Sequence, residues 1–186
     1  MNRFTVTDLP LAGLKLIQRQ HLGDSRGFLS RMFCAEELAA AGWTQPIAQI
    51  NHTQTAQIGT VRGMHYQTPP NSEIKLVSCV HGEVWDVAVD LRSGSPTFLH
   101  WHAERLSATN NRALLIPEGF AHGFQALEDN VSLIYCHSAF HSPQSERGLN
   151  AQDTRLAINW PLAITEISHR DVTHPMLEMK FEGVHL

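Results

Sequence analysis

No run of this sequence is apolar for long enough to cross a bilayer, which takes about 20 residues. The N-terminus has no basic segment followed by an apolar stretch, so no secretory leader is expected. Cysteine is scarce: Cys34, Cys79 and Cys136 are odd in number and widely spaced. That argues against a disulfide framework and for reduced thiols in the cytoplasm. Basic runs are missing as well. With 14 Lys and Arg against 18 Asp and Glu, the formal charge is −4. Such a balance excludes the basic groove of a nucleic-acid binder. Helix-forming stretches are nearly absent: residues 35–41, with two glutamates and four alanines before Gly42, form the one convincing helix. No repeat, linker or low-complexity segment marks an internal boundary, and 186 residues suit one domain over 1–186.

What is present is strand. A hydrophobic fraction of 42% supplies a core, and apolar and polar residues alternate in short runs. Strands are expected at 4–7, 14–20, 28–33, 47–54, 58–66, 74–80, 84–90, 98–106, 112–116, 122–128 and 131–139. Turn residues separate them, notably Ser93-Gly94-Ser95-Pro96, Asn110-Asn111, Pro117-Glu118-Gly119 and Asp129-Asn130. Many short strands at this spacing give a sandwich or closed barrel. The tail after Pro161 is irregular or weakly helical and is expected to wrap the barrel.

Residues 59–90 organise the chain. Val61-Arg62-Gly63-Met64-His65-Tyr66-Gln67 alternates as a strand does, and two apolar runs follow the Pro69-Pro70 turn. Arg62 and His65 differ in parity, so both face one way only if a bulge intervenes. Gly59 and Gly63 make one feasible. A second segment, Ile116 to Phe124, reads strand, sharp turn, His122. Polar residues pointing into an apolar barrel need partners or a purpose, and Arg62, His65, Lys75, His122 and Tyr135 are all of this kind. Twelve histidines are present, so most must be structural or surface residues.

His-x-Gln, then Glu73 and Gly82-Glu83-Val84, then Pro-x-Gly-x-x-His resemble the two motifs of the cupin superfamily. More narrowly, RGMHYQ, IKLVSCVHGEVWDVAVDLRSGSPTF, IPEGFAHGF, DSRGF, SERG and NWPL resemble the dTDP-4-dehydrorhamnose 3,5-epimerase family. The resemblance covers roughly residues 5–175. It implies an all-β, cupin-type jelly-roll barrel or sandwich with one or two short helices. It also implies an isomerase of deoxysugar (rhamnose) biosynthesis, acting on a 4-keto-6-deoxy hexose carried on a nucleoside diphosphate.

In such a substrate the keto group acidifies the C–H bonds at C3 and C5. A base takes a proton, the enolate oxygen is stabilised, and an acid returns a proton on the other face. The carbonyl is the electron sink, so neither a redox cofactor nor a metal is required. Histidine suits the base because its pKa lies near neutrality. The resemblance implies His65 as base, Asp171 as its carboxylate partner, Tyr135 as proton donor and Lys75 beside the keto oxygen. It places Arg26, Arg62 and Arg170 among the substrate contacts, with arginine forks suited to phosphate. Gln49, Asn51, His122, His141 and Glu146 complete the binding set. A homodimer is implied, its N-terminal strand crossing to the partner, so that Arg26 and the strand of Gln49 and Asn51 serve the partner's site. The bland reading of Arg26 is a turn residue after Asp24.

The match departs at four positions. Arg31 stands where Glu is expected, Ile50 separates Gln49 from Asn51, His141 replaces a stacking tyrosine, and Ile74 precedes Lys75 in place of glycine. Arg31 would reverse a charge near the phosphate or sugar. Alternatives therefore stay open: a single-carbon epimerase or ketoisomerase on another nucleotide sugar, and a non-catalytic sugar-binding module. A metal-dependent cupin oxygenase would use His65, Glu73 and His122, with Gln67 where a stronger ligand belongs.

Overall fold

The computed structural model describes residues 2–186. In chain order the elements are β1 (Phe4–Asp8), β2 (Lys15–Arg19), β3 (His21–Asp24), β4 (Gly27–Ser30), α1 (Ala35–Ala39), β5 (Gln49–Thr55), β6 (Val61–Gln67) and β7 (Lys75–His81). They continue as β8 (Glu83–Asp90), β9 (Trp101–Ser107), β10 (Arg112–Ile116), β11 (Phe120–Ala126), β12 (Val131–His137), β13 (Glu146–Gly148) and α2 (His169–Val172). A six-stranded sheet runs β1-β2-β10-β7-β12-β5, and a five-stranded sheet runs β13-β6-β11-β8-β9. Neighbouring strands within both sheets are antiparallel. This is the all-β jelly roll that the resemblance implies.

Three apolar layers hold it. Between the sheets, Val77, Cys79, Leu114 and Leu133 of one meet Val84, Ala88, Leu106 and Phe124 of the other. Outside the five-stranded sheet, Val61, Met64, Val87, Val89 and Ala121 pack against Leu149, Leu156, Leu177 and Val184 of the later chain. Outside the six-stranded sheet, Ile17, Leu76, Ala113 and Leu115 pack against Leu38, Ala41 and Trp43 around α1. The central strands are therefore covered on both faces, which is why β7 and β8 are apolar at both parities rather than alternating. Polar side chains on their inner face stand out all the more.

Strand β6 carries a bulge. His65 pairs with His122, yet Arg62 pairs with Phe124. Three steps on β6 thus match two on β11, and the extra residue turns Arg62 and His65 to the same inner face. Gly63 makes the fit: its φ is +115°, and a Cβ there would lie 2.6 Å from the Gly123 Cα. No other residue type tolerates both conditions.

Boundaries differ from expectation in a few places. The first helix ends at Ala39, with Ala40 as its C-cap, rather than at 41. The turn at 23–27 joins two short strands, β3 and β4, that form a separate two-stranded sheet. The tail does wrap the barrel, bridging Ile167 to Val61 and Val184 to Arg92. It includes α2, which starts where Ser168 Oγ accepts from the Asp171 N–H at 3.1 Å. Among the described residues no helix is long and apolar enough to cross a membrane.

Candidate active site

One cavity of about 590 Å³ opens between the two sheets, within the range of small-molecule sites. All of the expected site residues line it except Arg26. The five-stranded sheet contributes Arg62, His65 and His122. The six-stranded sheet contributes Lys75, Tyr135, Gln49 and Asn51. His141, Glu146, Arg170 and Asp171 come from the chain after β12.

On the five-stranded wall, His65 Nε2 lies 2.7 Å from Asp171 Oδ1, and Asp171 Oδ2 accepts from the Gly63 N–H at 3.2 Å. Asp171 takes Nε2, which leaves Nδ1 as the other ring nitrogen. Burial raises the Asp171 pKa, but hydrogen bonds from His65, Gly63 and the Ser168 turn, with the His65 charge, more than offset it. The carboxyl stays below its ordinary value. His174 adds a third group: its Nε2 is 3.7 Å from Asp171 Oδ1, and its ring meets His65 edge-on. Directly across the ladder from His65 is His122, whose Nε2 lies 2.9 and 3.0 Å from the Asp86 oxygens. Burial raises the Asp86 pKa against the opposing pull of His122.

On the six-stranded wall, the Tyr135 ring sits between His122, edge-on at 5.8 Å, and His137, stacked at 6.0 Å. Burial holds the phenol well above its ordinary pKa, so it stays protonated. Lys75 Nζ lies 3.1 Å from Glu73 Oε1 and 3.4 Å from the His65 carbonyl oxygen. Burial opposes ionisation of Glu73, yet Lys75 and His137 together hold its carboxyl at about 2. A proton acceptor therefore sits on one wall, with a proton donor and a fixed ammonium on the other.

The rim is polar. Arg62 donates through Nε to Thr55 Oγ1 at 2.9 Å and through Nη2 to the Gln54 carbonyl at 3.2 Å. Glu146 bridges Arg170 at 2.6 Å and His141 at 3.0 Å. The His141 N–H in turn donates to Gln49 Oε1 at 2.8 Å. Burial pushes the Glu146 pKa up, but the Arg170 and His141 hydrogen bonds bring it below its ordinary value.

Two arginines fall elsewhere. Arg26 stands at the β3–β4 hairpin tip, paired with Asp24 and exposed to solvent, as the turn reading has it for this copy of the chain. Arg31 pairs with Glu37 at α1 and does not line the cavity. Its reversed charge is answered locally rather than beside the cavity. The ligand set His65, Glu73 and His122 is likewise not assembled, because each is committed to a different partner: Asp171, His137 and Asp86. Among the described residues, the His and carboxylate atoms that do gather within 4.8 Å belong to His65, Asp171 and His174. Sequence reasoning missed Asp86, His137 and His174. The first two carried a signal: Asp86 is the one acid inside an apolar run, and His137 shares the parity of Tyr135.

A family model described as dTDP-4-dehydrorhamnose 3,5-epimerase matches residues 8–179. The enzyme of that name from Sinorhizobium fredii is 40% identical over 170 residues, covering 91% of this chain and 87% of its own. A dTDP-4-dehydrorhamnose 3-epimerase from Streptomyces niveus is 37% identical over 164 residues, 88% of this chain and 79% of its own. Among solved structures, the 3,5-epimerase from Legionella pneumophila in complex with dTDP-4-keto-L-rhamnose superposes with a TM-score of 0.89. It is 38% identical, covering 93% of this chain and 92% of that one.

Proposed function

Because the chain belongs to the dTDP-4-dehydrorhamnose 3,5-epimerase family, we propose that this cavity carries out the reaction with His65 as base and Tyr135 as acid. The protein is an isomerase that epimerises C3, C5 or both in a dTDP-linked 4-keto-6-deoxy hexose. The observation that carries the residue roles is the His65–Asp171 pair at 2.7 Å on one wall, with the buried Tyr135 hydroxyl on the other.

His65 Nδ1 removes the proton from the carbon beside the keto group. The C–H electron pair moves into the new C=C bond and the carbonyl pair moves onto oxygen. Lys75 holds the developing oxyanion, a contribution of about 3–4 kcal/mol at sites of this kind. Tyr135 returns a proton to the opposite face, and its phenolate and the His65 imidazolium then exchange with water. The ionised Asp171 stabilises that imidazolium. Arg62 and Arg170 take the diphosphate, while Gln49, Asn51, His122, His141 and Glu146 hold sugar and nucleoside. Arg26 serves a second copy in a homodimer. Phe28 and Leu29 beside it, each 66% exposed, and Ile50 on edge strand β5, 61% exposed, support that pairing. A monomer in sedimentation equilibrium would remove Arg26 from the site. Three free cysteines support a cytoplasmic setting.

Incubation with dTDP-4-keto-6-deoxyglucose in heavy water tests the reading. The returned proton comes from a solvent-exchanged phenol, so one deuterium is expected at each inverted carbon. Label at C3 and C5 identifies a 3,5-epimerase. Label at one carbon gives the single-carbon reading, which the Streptomyces niveus relative favours. Binding without exchange overturns the base and acid roles.

A further inference from the structure

The proton transfers above leave two buried groups unused. Glu73 and His137 lie in the cavity wall with side chains only 10% and 11% exposed, beside Lys75 at 9%. An acid and two bases taken out of water must pair well to be tolerated, and apolar residues would often serve stability as well. Their connections run in one line. His137 Nδ1–H donates to Glu73 Oε2 at 2.8 Å, and Lys75 Nζ meets Glu73 Oε1 at 3.1 Å. The other ring nitrogen, Nε2, lies 3.4 Å from the Asn51 amide. His137 and Lys75 are also direct neighbours across the β12–β7 ladder, so the sheet itself sets their spacing.

Lysine ends a flexible four-carbon stem and has three N–H donors. Glu73 and the His65 carbonyl, at 3.1 and 3.4 Å, take two of them. One donor remains for the cavity. A carboxylate bonded to Lys75 alone would also cancel most of the ammonium's field. The His137 N–H draws on the second carboxylate oxygen and shares that charge.

We propose that Glu73 and His137 are positioning residues for Lys75: Glu73 anchors the ammonium with one donor aimed at the substrate's keto oxygen, and His137 keeps the anchor from neutralising it. This rests on the reading of Lys75 as the group facing the enolate.

The test is steady-state turnover of dTDP-4-keto-6-deoxyglucose by the full chain, with near-UV circular dichroism to confirm folding. Glu73→Gln keeps size and shape and removes the charge. It is expected to lower kcat by about 10²-fold, the effect of misplacing a catalytic group by an ångström, with KM within about twofold. His137→Phe keeps a ring against Tyr135 and removes the donor, with about a tenfold loss of kcat expected, and His137→Gln should restore most of it. The pair Glu73→Gln with Lys75→Ala should be no slower than Lys75→Ala alone, because Glu73 acts through Lys75. Wild-type kcat in folded Glu73→Gln, a change in KM alone, or losses that multiply in the double variant overturn the proposal while leaving the Lys75 role standing. Wild-type kcat in Lys75→Ala overturns both.

Discussion

Two of the histidine–carboxylate pairs around the cavity have the same chemistry in opposite surroundings. His65 and Asp171 sit at the open side, with the His65 side chain 32% exposed. His122 and Asp86 are enclosed, at 6% and 0%. The difference lies in what supports the carboxylate. Asp171 receives a backbone N–H as well as the histidine and is favoured ionised. Among the described residues Asp86 has no backbone donor, and burial disfavours its charge. An imidazole backed by a stable carboxylate can accept and hold a proton. One backed by an uncomfortable carboxylate is better suited to hold a fixed orientation. His65 meets one Asp171 oxygen at 2.7 Å and His122 meets both Asp86 oxygens at 2.9 and 3.0 Å, and the support of the acid is what fits the first pair to the proposed base role and the second to binding.

Substitutions that break this contrast should rank accordingly. His65→Ala is expected to lower kcat by about 10⁴-fold, the upper end for a positioned base, with nucleotide-sugar affinity by calorimetry little changed. Wild-type turnover in that variant would remove His65 as the base. Asp171→Asn should lower kcat by about 10²-fold, and Asp86→Asn by less than about tenfold. Equal losses in the two asparagine variants, measured side by side, would erase the distinction drawn here.

A finer test uses pH and stability. Asp171 has a depressed pKa, so its stabilisation is present above the unfolded value of about 3.8 and is lost as pH falls through the folded one. Asp86 has a raised pKa, and the sign reverses: its favourable contribution is present below 3.8 and is lost as pH rises through its folded value. Thermal melts from pH 6 to pH 3 should therefore lose stability less steeply in Asp171→Asn and more steeply in Asp86→Asn. Slopes that change in the same direction would contradict the assigned environments.

Most of the strands could be read from alternation and turn residues, because the period of two survives wherever one face differs from the other. The bulge on β6 was also legible, since Arg62 and His65 have conflicting parity around a glycine. Strand β13 was not: three residues carry no period. The short helix α2 was legible only as a weakly helical tail, without bounds, because four residues need a cap rather than a pattern. Asp171 reaches His65 across 106 positions of chain, a closure that local pattern does not encode. Arg31 shows the reverse error. Its charge looked meaningful for the ligand, but Glu37, six residues on, absorbs it.

The extra residue in β6 also bears on how this chain tolerates changes of length. Substitution on either side of Gly63 changes one side chain, whereas deletion of one residue there would shift the phase of the strand. Either Arg62 or His65 would then turn away from the cavity into the layer that Val61 and Met64 occupy. The Gly123 contact blocks the opposite repair, in which a bulkier residue pushes the strands apart. Single-residue deletions should thus be far harsher here than in the Ser93 to Pro96 turn, and a library scored by length would mark this point as the register of the whole site.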